Sequence, residues 1–252
     1  MGVIIKCSLL ERIRRKELYI IFGIGVLMIL LTCTGEASIT IDGQELTGFQ
    51  NMLMVFHILV NAFSCFLSAV LSMCTIPNEY ERRNSHLVWI RGVSQQKYHG
   101  GLCIANCIVN VSVLFVFYML LATFLIMNGQ AKMLGSLVPA FFITCLNVLF
   151  VCVFTSVLSI KCPVFITGAF SILCVFVGVF YPLFSMLQNI LGGIGGKIIC
   201  LILKVIPNLH AIQSQAYHLI LGDGIKMHKI FVILLFIYVA SIGNFIFKRK
   251  EA

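Results

Sequence analysis

Residues 52–83 read MLMVFHILVNAFSCFLSAVLSMCTIPNEYERR. From Met52 to Ile76 no charged side chain occurs, and then Glu79, Glu81, Arg82 and Arg83 crowd together. About 20 apolar residues in helical form cross a hydrocarbon layer about 30 Å thick. Moving any one of the four charges to the centre of that layer costs about 2.5 to 3.5 kcal/mol. The stretch therefore reads as a membrane helix ending in a strip that lies in water or against another protein.

The same alternation runs along the whole chain. It is 60% hydrophobic and 11% charged, with 21 Phe in 252 residues and a mean hydropathy of +1.04. A soluble domain of this length needs far more polar surface. The bilayer is thus the solvent for most side chains, and a single all-α integral membrane domain over 1–252 is expected. Six transmembrane helices are expected, near 18–33, 52–76, 102–127, 137–160, 163–187 and 230–247. Pro77 is expected to stop the second, Pro139 to sit in the tolerated first turn of the fourth, and Pro163 to open the fifth after a turn at Lys161–Cys162.

Ahead of the first span, residues 1–17 set Ile5, Leu9 and Ile13 among Lys6, Arg12, Arg14, Arg15 and Lys16, the pattern of an amphipathic helix at a membrane interface. The basic prefix and LLTC together imitate a signal peptide, but Thr32 before Cys33 is atypical and more apolar segments follow, so an uncleaved span is expected. The loop 34–50 carries Glu36, Asp42 and Glu45 without Lys or Arg, and its alternation around Asp42–Gly43 allows a small hairpin.

Both chain ends are basic, as is the strip after span two, whereas the first loop is acidic. The positive-inside bias then puts both termini in the cytoplasm of a multi-pass plasma-membrane protein, which requires an even number of crossings. The glycine-broken stretch LGGIGGKIICLILKVIP, with Lys197 and Lys204, is accordingly read as part of an outer re-entrant segment, 188–229, rather than a seventh span.

Composition also narrows the chemistry. The net charge of +9 gathers at the edges of apolar runs and not on a groove-sized face, which argues for lipid headgroups and against nucleic acid. Eleven cysteines, an odd number without a CxxC pair, behave as small hydrophobes in lipid. Every Asp and Glu, namely Glu11, Glu17, Glu36, Asp42, Glu45, Glu79, Glu81, Asp223 and Glu251, lies outside the six expected spans. Transporters driven by proton or sodium gradients usually keep such groups near mid-membrane. GGIGGK at 192–197 imitates a phosphate loop, but Leu191 stands where its first glycine belongs and Ile198 where Ser or Thr belongs. No catalytic or metal-binding residue is assigned.

His57 and Asn61, four apart, form the HxxxN element of CAAX-type intramembrane proteases, yet the paired glutamates and the second histidine motif are missing, Tyr80 separating Glu79 from Glu81. From His57 the polar positions Asn61, Ser64, Ser68 and Ser72 continue at helical spacing as one stripe. Asn106 with Asn110, Thr167 with Ser171, and Ser241 with Asn244 repeat the pattern. Such stripes serve close interhelical packing, or, in the case of His57, Asn61, Ser64 and Ser68, line a path for an amphipathic cargo.

The strip opens a stretch, 77–98, that is longer and more structured than a connection needs. Pro77 and Asn78 look like a helix start, Tyr80, Leu87 and Ile90 share one arc, and Gly92 can end the helix. A solvated basic loop is the other reading. Trp89 either anchors at the lipid interface or helps dock the helix into a partner.

A basic surface helix before span one, a short acidic outer loop, EYERR after span two leading into RGVSQQKYHGGL, and an interrupted segment with IPNLHAI before the last span together resemble ABC-2 type permease subunits. In that family the loop after span two forms a coupling helix seated on an ATP-binding subunit. By position the resemblance puts Glu79, Tyr80, Glu81, Arg82 and Arg83 at the ATPase contact, with His86 and Arg91 nearby and Lys97 at the membrane edge. Arg82 and Arg83 depart from the usual Gly-Thr. It further implies an ATP-binding cassette ATPase dimer that holds the ATP and Mg, no cofactor in this chain, a second permease subunit of the same or similar kind, and outward movement of a peptide such as a bacteriocin, a drug or a lipid. A stand-alone transporter or channel, or an intramembrane hydrolase, is the alternative.

Overall fold

The computed structural model describes residues 2–14, 19, 22–23, 25–27, 40–41, 44–45, 49–81, 92–222 and 224–247. These form α1 (Gly2–Arg14), a two-residue antiparallel ladder of β1 (Thr40–Ile41) with β2 (Gln44–Glu45), then α2 (Phe49–Met73), α3 (Thr75–Glu81) and α4 (Gln95–Met127). A 3₁₀ turn over Ala131–Met133 leads into α5 (Leu134–Lys161), followed by α6 (Val164–Val179), α7 (Tyr181–Leu191), α8 (Gly193–Val205), α9 (Leu209–Leu221) and α10 (Met227–Ile246). The ladder pairs Thr40 with Glu45 and Ile41 with Gln44, as the hairpin reading expects.

The chain is a multi-pass helical membrane protein. Where no water reaches the backbone, only helices satisfy every N–H and C=O of an apolar run internally. Phe49–Glu81, Gln95–Met127, Ala131–Lys161 and Met227–Asn244 are each long and apolar enough to cross. Two further pairs reach that length only across a bend, α6 with α7 at 83° and α8 with α9 at 59°, giving up to six crossings among the described residues if each bent pair counts as one. Most of the first expected span, 18–33, lies outside the described residues. Its described part is helical and packs on α4: Phe22 stacks on Phe117 at 5.6 Å, and a Cβ on Gly25 would meet that ring at 2.9 Å.

The helix ends depart from those expected, and prolines explain several departures. Pro77 does not stop the second span. It sits in the first turn of α3, where a missing N–H is harmless, and what it disturbs is the turn before it. A proline at 77 cannot bond the carbonyl of Met73 and crowds it, and α2 ends at Met73 with Cys74 in a turn. Helix resumes at Thr75, and Asn78 N donates to the Cys74 carbonyl at 3.1 Å. Pro139 lies inside α5, not in its first turn, because that helix begins at Leu134. Span five does not run straight to Leu187. Pro182 at the start of α7 cannot bond the Gly178 carbonyl, and the axis turns at Phe180. The final helix starts at Met227, three residues before the expected 230. Span three starts at Gln95 instead of 102, so QQKYHGG is helix, preceded by non-helical residues 92–94 with Gly92 at φ +74°.

α5 is the axis of the bundle, packed by α2, α3, α4, α6, α9 and α10. Small residues set the spacing. A Cβ on Gly243 of α10 would lie 2.6 Å from Val157 of α5, and one on Gly168 of α6 would lie 2.7 Å from Met73 of α2.

The segment 188–229 holds the end of α7, α8, α9 and the start of α10. α9 is inserted beside α5, its Leu209 carbonyl accepting from Asn147 Nδ2 (2.9 Å) and its Ile220 carbonyl from Ser136 Oγ (3.2 Å). α6 reaches the start of α9, because Gly178 abuts Leu209 and the Pro207 carbonyl. Thus α6 covers the Lys161 half of α5 and α9 the Ser136 half, with the α7–α8 hairpin projecting at the junction. Gly192 (φ +51°) and Gly193 (φ +50°) make the hairpin turn, and Gly196 lets α8 approach the Gln188 carbonyl, where a Cβ would sit 2.9 Å away.

Candidate functional site

The charged strip begins on α3, which is fastened to the first turns of α4. Tyr98 Oη donates to Glu79 Oε2 at 2.6 Å, and Tyr80 Oη and His99 Nε2 lie 2.8 Å apart. Both pairs bridge the same 19 positions in sequence, so two neighbours on α3 meet two neighbours on α4. Beneath them Ile76, Tyr98, Leu102 and Ile160 form an apolar cluster joined by Tyr80 and by Ile4 of α1. The N-terminal helix α1 therefore packs on this corner of the bundle.

Glu79 is turned inward, with only 9% of its surface exposed, whereas Glu81 is exposed at the last residue of α3. A carboxylate held this deep needs charge-assisted hydrogen bonds to offset its lost hydration, and the Tyr98 hydroxyl supplies one. Glu79 and Tyr80 thus join the strip to the bundle, and Glu81 faces outward. Arg82, Arg83, His86, Trp89 and Arg91 lie outside the described residues. Tyr98 and His99, absent from the expected site, are the residues that complete it.

The second set, His57, Asn61, Ser64 and Ser68, lies at the centre of the bundle, each at most 2% exposed. His57 Nε2 lies 3.0 Å from Tyr118 Oη, and that hydroxyl reaches Thr144 Oγ1 at 2.6 Å. Asn147 Nδ2 donates to Asn61 Oδ1 at 3.0 Å and also to the Leu209 carbonyl, tying α2, α5 and α9 through one amide. Ser68 Oγ donates to the Val148 carbonyl (3.2 Å) and Ser72 Oγ to Cys152 Sγ (3.4 Å). Toward the strip, Asn106 Nδ2 donates to Thr75 Oγ1 at 2.9 Å and holds the break between α2 and α3 against α4. The stripe is thus an interhelical seam along α2.

The seam is incompletely satisfied. His57 Nδ1, Asn61 Nδ2, Ser64 Oγ and Asn147 Oδ1 are buried with no hydrogen-bond partner. Among the described residues no three of His, Cys, Asp and Glu are grouped as a metal ion requires. The chain matches no known protein family, and no curated protein is significantly similar to it.

Ten cysteines are described, and none of these is in a disulfide. Cys107 of α4 and Cys152 of α5 bring their sulfurs to 3.5 Å, and Asn110 Nδ2 approaches Cys152 Sγ at 3.6 Å. The contact makes a soft, polarisable junction between the two helices.

Proposed function

We propose that the chain is the permease subunit of an ATP-driven exporter, with six crossings, both termini in the cytoplasm of the plasma membrane, and α3 with the strip after it seated on a separate ATP-binding cassette subunit. A second permease subunit, the same or similar, completes the translocation unit, and ATP with Mg is bound by the partner. The layout that resembles ABC-2 permeases motivates the reading. The observation that supports it most is the double tie of Glu79 to Tyr98 and Tyr80 to His99. A push on the strip is delivered through those bonds to α4, a helix of 33 residues, and through Ile76 and Thr75 to α2.

The mechanism is mechanical. ATP-driven closure of the partner displaces the strip, α3 moves with the first turns of α4, and the two helices shift against α5, where packing resolves into discrete arrangements rather than continuous deformation. Glu81 with Arg82, Arg83, His86 and Arg91 forms the contact face, and Glu79 and Tyr80 form the joint behind it. The unpartnered polar atoms of His57, Asn61, Ser64 and Asn147 are groups that an amphipathic cargo meets when the seam opens.

Co-purification of this chain in detergent from membranes of its native host, with the eluate probed for an ATP-binding cassette subunit, tests the reading. Glu81→Arg is expected to release the partner while the permease stays monodisperse. Stoichiometric retention of the partner by both Glu81→Arg and Arg82→Glu/Arg83→Glu would place the contact elsewhere.

A further inference from the structure

The α7–α8 hairpin leaves the bundle nearly at right angles and carries an apolar face that none of the described residues covers. Ile190 and Ile194 are each 80% exposed, and Leu183, Met186, Leu201 and Val205 are 60 to 66% exposed. Membrane helices bare such faces to acyl chains along the bilayer normal, but this face is bent 83° away from α6. On α8 the exposed positions 194, 198, 201, 202 and 205 fall in one arc of the helix. Lys197 and Lys204, seven apart, lie together along one edge of that arc and are both exposed. No acidic residue occurs between Glu81 and Asp223 in the sequence, so neither lysine has a carboxylate on its own or the adjoining helices.

Depth agrees with this chemistry. α6 starts beside exposed Lys161 and runs 16 residues before the bend, a rise of about 24 Å. In hydrocarbon about 30 Å thick the bend then falls past the midplane, in the half of the bilayer opposite the strip.

We infer that the α7–α8 hairpin is an interfacial anchor for the leaflet opposite the charged strip, with Lys197 and Lys204 forming a binding site for the phosphate of anionic phospholipid headgroups. The apolar arc enters the acyl boundary, and each ammonium reaches outward along its four-carbon stem to a headgroup, as lysines near membrane interfaces do. The glycines at 192, 193 and 196 keep the two helices tight enough to lie as one slab. This assignment does not depend on the exporter reading.

Native mass spectrometry of the full chain, released from membranes into detergent and titrated with phosphatidylglycerol or phosphatidylcholine, is the test. The wild type is expected to retain phosphatidylglycerol preferentially, and Lys197→Gln/Lys204→Gln to bind it about tenfold more weakly, with phosphatidylcholine unchanged. Lys197→Arg/Lys204→Arg, which keeps both charges, is expected to retain the preference and guards against a folding defect in the Gln variant. Equal retention of the two lipids by the wild type, or an undiminished preference in a monodisperse Gln variant, overturns the inference. So does efficient disulfide cross-linking between copies through Ile194→Cys in native membranes, because that result covers the face with a second copy of the chain instead of lipid.

Discussion

Glu79 and Tyr98 are joined by a 2.6 Å hydrogen bond at the point where the charged strip meets the bundle. The carboxylate is nearly buried and accepts from a hydroxyl whose own ring sits in an apolar cluster. Hydrogen bonds to charged groups contribute about 1.5 to 3 kcal/mol, against about 1 for neutral pairs. Tyr98→Phe is therefore expected to destabilise the protein by about 1.5 to 3 kcal/mol, and Tyr80→Phe, which breaks the pair with His99, by about 1. Unfolding followed in a fixed detergent measures both, and an equal or reversed ranking would show that the Glu79 contact is weaker than its geometry implies.

The crossing of α10 over α5 depends on Gly243. Gly243→Ala places a methyl 2.6 Å from Val157 Cγ1, and such overpacking costs typically about 1 to 3 kcal/mol. Val157→Ala removes the obstructing carbon, so the double variant is expected to be more stable than the sum of the two single changes predicts. Additivity in this double-mutant cycle would mean that the two helices do not meet there.

Within the seam the two serines separate packing from passage. Ser64 Oγ is buried and unpartnered, whereas Ser68 Oγ donates to the Val148 carbonyl. Ser64→Ala is expected to leave the unfolding midpoint unchanged or slightly raised, because a desolvated hydroxyl is removed. Ser68→Ala is expected to lower stability by about 0.6 kcal/mol, the average for interhelical hydrogen bonds in membranes. A change in cargo export caused by Ser64→Ala at unaltered stability assigns the seam to the cargo path. Unchanged export by both Ser64→Ala and Asn61→Leu removes that role.

The thiol contact reports on the α4–α5 packing independently of function. A membrane-permeant disulfide-forming oxidant is expected to link Cys107 to Cys152, whose sulfurs lie 3.5 Å apart, and peptide mass spectrometry identifies the linked pair. Absence of that link, with other cysteine pairs forming, would contradict the register of the two helices.

Much of this architecture was legible in the sequence, and the exceptions share a cause. Hydropathy locates the long apolar helices because lipid leaves the backbone no other solution, and helical spacing picks out His57, Asn61, Ser64 and Ser68 as one face. What composition cannot see is a neighbour. QQKYHGG is polar and glycine-rich and falls ahead of the span expected from 102, yet it is helix, with Tyr98 and His99 held by Glu79 and Tyr80. Pro77 reads as a stop because its effect falls on the turn before it. The division of one side of α5 between α6 and α9 has no local signal, since it is set by Asn147 and Ser136 bonding carbonyls more than sixty residues away. A lone Asn at mid-span was the available hint, because an amide in lipid costs too much to be kept without a partner.

The central claim is that the strip after α2 receives force from a separate ATPase on the cytoplasmic side. A photo-cross-linking amino acid at position 81, the exposed end of α3, activated in intact cells of the native host, tests it most directly. The account predicts one dominant adduct, containing an ATP-binding cassette subunit, that is diminished when Arg82 and Arg83 are reversed to glutamate. Labelling of position 81 from outside the cell by a membrane-impermeant reagent, or an adduct pattern lacking any ATP-binding subunit, would contradict it.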